Sequence, residues 1–127
     1  MDLKWSINDK DTRGGEAMDI IEEKQNDISI FRLNGRLDSN TSPEFEGKII
    51  ETIENGASKL IIDFEALEYI SSAGLRVVNK TLRQLKPNKG KLVLCSMQDY
   101  VKEVFEIAGF DSFIPIVSNM DEALHKL

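Results

Sequence analysis

The stretch Glu68–Val78, EYISSAGLRVV, changes character in the middle. Glu68, Tyr69 and Ile70 close a strand-like run, whereas the residues from Ala73 onward open a helical one. Leu75, Val78, Leu82 and Leu85 recur at intervals of three, four and three, the apolar stripe of an amphipathic helix. Two serines stand at the joint, followed only by the small residues Ala73 and Gly74. If Ser71 is the helix cap, Ile70 and Leu75 occupy the two positions of a hydrophobic staple, and Ser72 becomes the first helical residue with its hydroxyl free. If Ser72 is the cap, the staple positions fall on Ser71 and Arg76, which form none. The staple favours the first register. In either register a phosphate on Ser72 would face unpaired N–H groups and the positive end of the helix dipole. A plain cap needs no such function, because serine is among the commonest capping residues. Ala73 and Gly74 leave room for a partner's active site to approach.

Working outward, Lys59–Phe64 (KLIIDF) precedes this stretch as a dense apolar run of the kind buried in a parallel sheet. Before it, Ser42-Pro43-Glu44 predicts a helix start, with Ser at the cap and Pro at the first position. Phe45, Ile49 and Ile53 follow at intervals of four, and Asn55-Gly56 ends the helix. Further upstream, Met18–Gln25 and Ile28–Leu33 read as strands joined by a turn at Asn26-Asp27. Gly35 breaks the second before the loop 36–41. Downstream, Pro87 and Gly90 terminate the Leu75–Leu85 helix, and Lys91–Cys95 (KLVLC) is the next buried strand. Ser96 to Ala108 predicts a helix capped by Ser96, with Asp99 three residues later, and closed by Gly109. Phe113–Val117 is a last strand, and Asn119 caps a short terminal helix. Helix and strand alternate after a leading hairpin, so the expected fold is α/β, with about five strands in a mixed, mostly parallel sheet and about four helices.

The 127 residues, 41% of them hydrophobic, suffice for one core and not for two. Residues 1–17 show no sustained period and read as a disordered or loosely attached leader, with Met18 a candidate natural start and 18–127 the domain. A net charge of −6 argues against direct nucleic-acid or anionic-membrane binding. No apolar run approaches the roughly 20 residues of a membrane span. The single cysteine, Cys95, allows no internal disulfide and fits a reducing compartment, so a cytoplasmic protein is expected.

Catalytic sets are thin. One histidine, His125 near the C-terminus, and one cysteine make no zinc set and no nucleophile–base pair. Neither GxGxxG nor GxxxxGK[ST] occurs, and no metal, cofactor or enzymatic activity is expected. Asp63 ends a central strand as the phospho-accepting aspartate of a receiver module does. The leading hairpin and the lack of a lysine after the last strand fit that fold poorly, so Asp63 reads as a strand-end residue capping nearby backbone amides.

The run Asp63–Arg76 (DFEALEYISSAGLR) closely resembles the signature of STAS domains, specifically of bacterial anti-sigma factor antagonists. The loop Asn34-Gly35-Arg36-Leu37-Asp38 resembles that family's second mark, and the element order from Met18 to Leu127 matches. The resemblance implies that Ser72 is phosphorylated by a partner kinase, with Asp38 near it aiding the encounter. Ser71, Ala73, Gly74, Leu75 and Arg76 would support the partner surface. It implies an anti-sigma factor that is also a serine kinase as partner, a serine phosphatase that resets the switch, and a monomer or weak dimer. A non-phosphorylated STAS scaffold subunit of a transport or stress-signalling complex is the alternative. Ser71 stands where the family often has Asp, and Arg76 where it often has Gly. Arg76 could pair with a phosphate or with an acidic partner surface.

Overall fold

The computed structural model describes residues 18–127, and the expectation for 1–17 lies outside them. The chain runs β1 (Met18–Gln25), β2 (Ile28–Leu37), α1 (Ser42–Glu54), β3 (Lys59–Ile70), α2 (Ser72–Leu85), β4 (Lys91–Cys95), α3 (Asp99–Ile107), β5 (Ile116–Val117) and α4 (Met120–Lys126). The strands form one sheet in sequence order. β1 is antiparallel to β2, and the remaining neighbours are parallel. The mixed sheet, four helices and leading hairpin expected from the sequence are all present. Asn26 makes the hairpin turn with φ 57°, a left-handed conformation that Asn tolerates better than most residues.

Two apolar layers flank the sheet. Phe31, Leu33, Leu60, Ile62 and Phe64 face α1, α2 and α3, meeting Phe45, Ile49, Val77, Val78, Val101 and Phe105. Edge-on ring pairs, Phe31 with Phe45 at 6.0 Å and Phe64 with Phe105 at 5.5 Å, knit helices to strands. On the opposite face Ile30, Ile61, Val93 and Cys95 are covered by α4 through Ala123. Alternate residues of the central strands therefore serve two cores, which is why KLIIDF is apolar throughout.

Several boundaries differ from the sequence reading. β2 does not stop at Gly35. Its pairing with β3 continues to Leu37 opposite Ile70, with a register shift between Gly35 and Arg36. Gly35 takes φ 118°, so it absorbs an irregularity inside the strand where another residue would be strained. β3 correspondingly runs to Ile70. The cap of α1 is Thr41 and not Ser42. The Thr41 hydroxyl donates to Arg36 O at 2.8 Å and accepts from Asp38 N at 2.9 Å, so it braces the loop instead of a helical amide. The capping box at Ser96 does not form. Ser96 N still donates to Val117 O at 3.1 Å, its φ is 64°, and α3 begins at Asp99 behind Gln98. Gln98 Nε2 reaches Glu65 O at 2.7 Å, which fixes the entry into α3. β5 is only Ile116–Val117 and not Phe113–Val117, because Phe113 and Ile114 still donate their N–H groups to Phe110 O, at 3.1 and 2.9 Å, and close the 3-10 turn Phe110–Ser112. Gly109 closes α3 at φ 82°, and Asn119 caps α4 by accepting from Glu122 N at 2.9 Å, both as expected.

Candidate functional site

α2 opens at the joint that the staple indicates. Ser71 is the cap residue in extended conformation (φ −102°, ψ 177°), and Ser72 is the first helical residue. Ile70 and Leu75 both join the main core, as a staple requires. The Ser71 hydroxyl, however, makes no capping hydrogen bond, and its oxygen is buried with no partner among the described residues. Ser71 holds the joint through its backbone. Its N–H donates to Leu37 O at 2.9 Å, and its carbonyl accepts from Leu75 N at 3.0 Å.

The first of these bonds brings two sequence-distant segments together. Leu37 is the last residue of β2, and Asp38 follows it, so the Asp38 loop and the mouth of α2 are joined by one backbone bond. Asp38 is committed to shaping that loop. Its Oδ1 accepts from Asn40 N at 2.9 Å and Thr41 N at 3.2 Å, and its carbonyl accepts from Ser42 N at 2.8 Å. Its Oδ2 lies 3.8 Å from Arg36 Nε. The Arg36 guanidinium in turn covers the Tyr69 ring at 4.2 Å, tying the loop to β3.

The small residues of the stretch act differently from one another. Ser72 is exposed and Ala73 half-buried, so only small side chains stand at the outer surface here. Gly74 is buried and faces inward. A Cβ there would stand 2.7 Å from Ile70 Cγ1 and 2.9 Å from Leu37 Cγ. Its lack of a side chain lets α2 sit against the ends of β2 and β3, and it does not itself offer room to an approaching partner. Leu75 is half-buried and Arg76 exposed.

Beside this mouth, α1 and α2 enclose an open groove of about 580 Å³. Ser39, Ser42 and Ala73 line one end, and Arg76 and Lys80 rise from α2. Lys80 Nζ crosses it to Glu46 Oε2 at 2.6 Å. The groove escaped the sequence reading, because its walls come from helices paired only by the fold.

Elsewhere, Asp63 is buried in β3, where Oδ1 accepts from Glu65 N at 2.9 Å as its capping role predicts. Its other oxygen meets Arg32 Nη1 at 2.6 Å, a partner that only strand register reveals. Burial pushes the Cys95 thiol up to about 11, which keeps it protonated and inert. His125 is exposed, with Nδ1 2.8 Å from Asp121 O. Among the described residues no group of acidic, His or Cys side chains is placed to hold a metal, and no helix is long and apolar enough to cross a membrane.

A parallel-rich sheet with a leading hairpin, and a serine-bearing helix mouth tied to an aspartate loop, define a class that comparison with known proteins identifies. Residues 19–123 match the STAS domain, and the chain belongs to that family. It is 36% identical over 106 residues to BtrV of Bordetella bronchiseptica, which carries the name of a candidate anti-sigma factor antagonist; the match covers 84% of this chain and 91% of that one. The anti-sigma-B factor antagonist of Staphylococcus aureus is 27% identical, over 67% of this chain and 79% of its own. Among solved structures, the anti-sigma factor antagonist SpoIIAA in its unphosphorylated form is 26% identical with TM-score 0.68, covering 87% of this chain and 96% of that one. The Bacillus SpoIIAA in its phosphorylated form matches with TM-score 0.70 at 24% identity, over 85% and 98% of the two chains.

Proposed function

We propose that this protein is an anti-sigma factor antagonist that works by partner switching, with Ser72 as its phosphate acceptor. The observation that carries the reading is the exposed Ser72 at the start of α2, beside half-buried Ala73 and joined through Ser71 N and Leu37 O to the Asp38 loop. The names of the relatives support the same class. Unphosphorylated, the protein binds an anti-sigma factor that is also a serine kinase, and a sigma factor is released. The kinase moves the terminal phosphoryl group of ATP to Ser72 Oγ, the hydroxyl proton leaves to a base on the kinase, and ADP remains. A serine phosphatase restores the hydroxyl with water and frees inorganic phosphate. The chain contributes a binding surface, and catalysis belongs to its partners. It acts in the cytoplasm as a monomer or weak dimer, without direct contact to nucleic acid or membrane.

The phosphate acts at the interface and not on the fold. It adds about −1.5 to −2 charges, which the positive end of α2 tolerates or favours by roughly 0.3–1 kcal/mol. A partner surface packed on Ser72 and Ala73 would instead meet a bulky dianion, at a cost of several kcal/mol. Incubation with a candidate serine kinase and ATP should add one phosphate, placed on Ser72 by fragment mass spectrometry. Phosphate on Ser71, or undiminished phosphorylation of Ser72→Ala, would overturn the assignment. No phosphorylation and tight assembly regardless of Ser72 would favour a scaffold subunit.

A further inference from the structure

If Ser72 carries a phosphate, the charged groups around it decide what that phosphate meets on its own chain. The elements at this corner offer Arg36 from the end of β2, Asp38 from the loop after it, Glu68 near the end of β3, Glu46, Glu51 and Glu54 from α1, which line the same groove as Arg76, and Arg76 and Lys80 from α2. Two of the three cations are engaged. Arg36 lies over Tyr69 and beside Asp38, and Lys80 is held by Glu46 at 2.6 Å. Arg76 is exposed and has no ion pair or side-chain hydrogen bond among the described residues. It follows Ser72 by four residues on the same helix, where side chains are surface neighbours with Cβ atoms about 5–6 Å apart. The anion precedes the cation along the chain, the more favourable order for such a pair. The Ser71 hydroxyl, buried and without a hydrogen-bond partner among the described residues, belongs to the residue just before Ser72.

We propose that Arg76 is the intramolecular receptor of the Ser72 phosphate: its guanidinium folds back one turn and makes a charge-assisted contact with the phosphate oxygens. Phosphorylation then changes two features of the α2 surface together. It places a dianion at exposed Ser72, and it withdraws the unpaired cation of this corner from any acidic partner group. The clasp deepens the partner-switching reading and takes its biological meaning from it, but its test needs no kinase.

Phosphoserine is installed at position 72 by nonsense suppression, and the phosphate is titrated by 31P NMR in the full chain. With Arg76 present, its second ionisation is expected about 0.2–0.4 pH units lower than in Arg76→Gln, the size of an exposed pair at this spacing. Arg76→Lys should recover part of the shift, and 1 M salt should shrink it. Amide spectra of the variants check that exposed position 76 leaves the fold intact. Equal titration in wild type and Arg76→Gln, or a difference that salt does not reduce, overturns the clasp. A shifted phosphate together with a Ser72 that no kinase modifies would retain the clasp and sink the switch.

Discussion

Gly74→Ala and Gly47→Ala add the same methyl group inside two helices, and the structure sets opposite signs for them. In a helix interior, alanine is favoured over glycine by about 0.5–1 kcal/mol. At Gly47, in α1, a Cβ meets nothing within 4 Å, so the substitution should stabilise by close to that amount. At Gly74 the new carbon falls 2.7 Å from Ile70 Cγ1, 2.9 Å from Leu37 Cγ and 3.0 Å from Leu37 Cδ2. Leu37 and Ile70 are 0% and 5% exposed, and the two closest atoms are branch-adjacent carbons that cannot swing aside. Overpacking of this kind costs about 1–3 kcal/mol, and Gly74 lies in the first turn of α2, where the propensity gain is smaller than in the interior, so the middle of that range leaves Gly74→Ala destabilised by about 1–2 kcal/mol. For a domain of this size that lowers Tm by about 4–10 °C. Thermal and urea unfolding of both variants reads the difference, with m unchanged if only the native state is strained. A Gly74→Ala protein as stable as wild type would refute the close approach of α2 to the strand ends, and with it the geometry that presents Ser72.

Asp38→Ala removes the acceptor of the Asn40 and Thr41 amides and should cost about 1–2 kcal/mol in urea unfolding, like the loss of a capping side chain, whereas Asp38→Asn should recover most of it. Burial raises the Cys95 thiol from 9.0 to about 11, so the folded state keeps its proton while the unfolded chain ionises first. Stability should therefore be unaffected by this group below about pH 9 and should fall between about pH 9 and 11. An uncharged alkylating reagent at pH 8 should modify Cys95 only in denaturant, and rapid modification of folded protein would contradict the buried placement. Deleting residues 1–17 should leave Tm and partner affinity unchanged, because the family match begins at residue 19; a clear loss of thermal stability would show that the leader belongs to the domain.

The apolar rhythm carried most of the fold. Lys59–Phe64, Lys91–Cys95 and the Leu75–Leu85 stripe each became the expected element, because one or both of their faces had to be buried. Capping chemistry transferred less well. The cap read at Ser42 falls on Thr41, whose hydroxyl braces the preceding loop, Ser96 turns to a sheet partner far along the chain, Ser71 holds its cap position without a capping side-chain bond, and Asn119 caps with its side chain as read. Gly35 looked like a strand breaker because local propensity ignores the β2–β3 ladder that carries the strand onward. At the site, the Ser71 register and the free position of Ser72 were legible from a staple of two residues. The inward role of Gly74, the Arg36–Tyr69 contact and the Arg32–Asp63 pair were not, since each joins residues whose proximity only strand register or helix docking creates.

The central claim is that one phosphate on Ser72 decides partner binding while the fold stays the same. Titration calorimetry of the cognate anti-sigma factor against unphosphorylated protein and against phosphoserine-72 protein tests it directly. Two or three steps of about 1.4 kcal/mol predict affinity lower by roughly a hundredfold to a thousandfold for the phosphorylated form, with Tm within a few degrees of the unmodified protein. Equal affinities for the two forms would contradict the account.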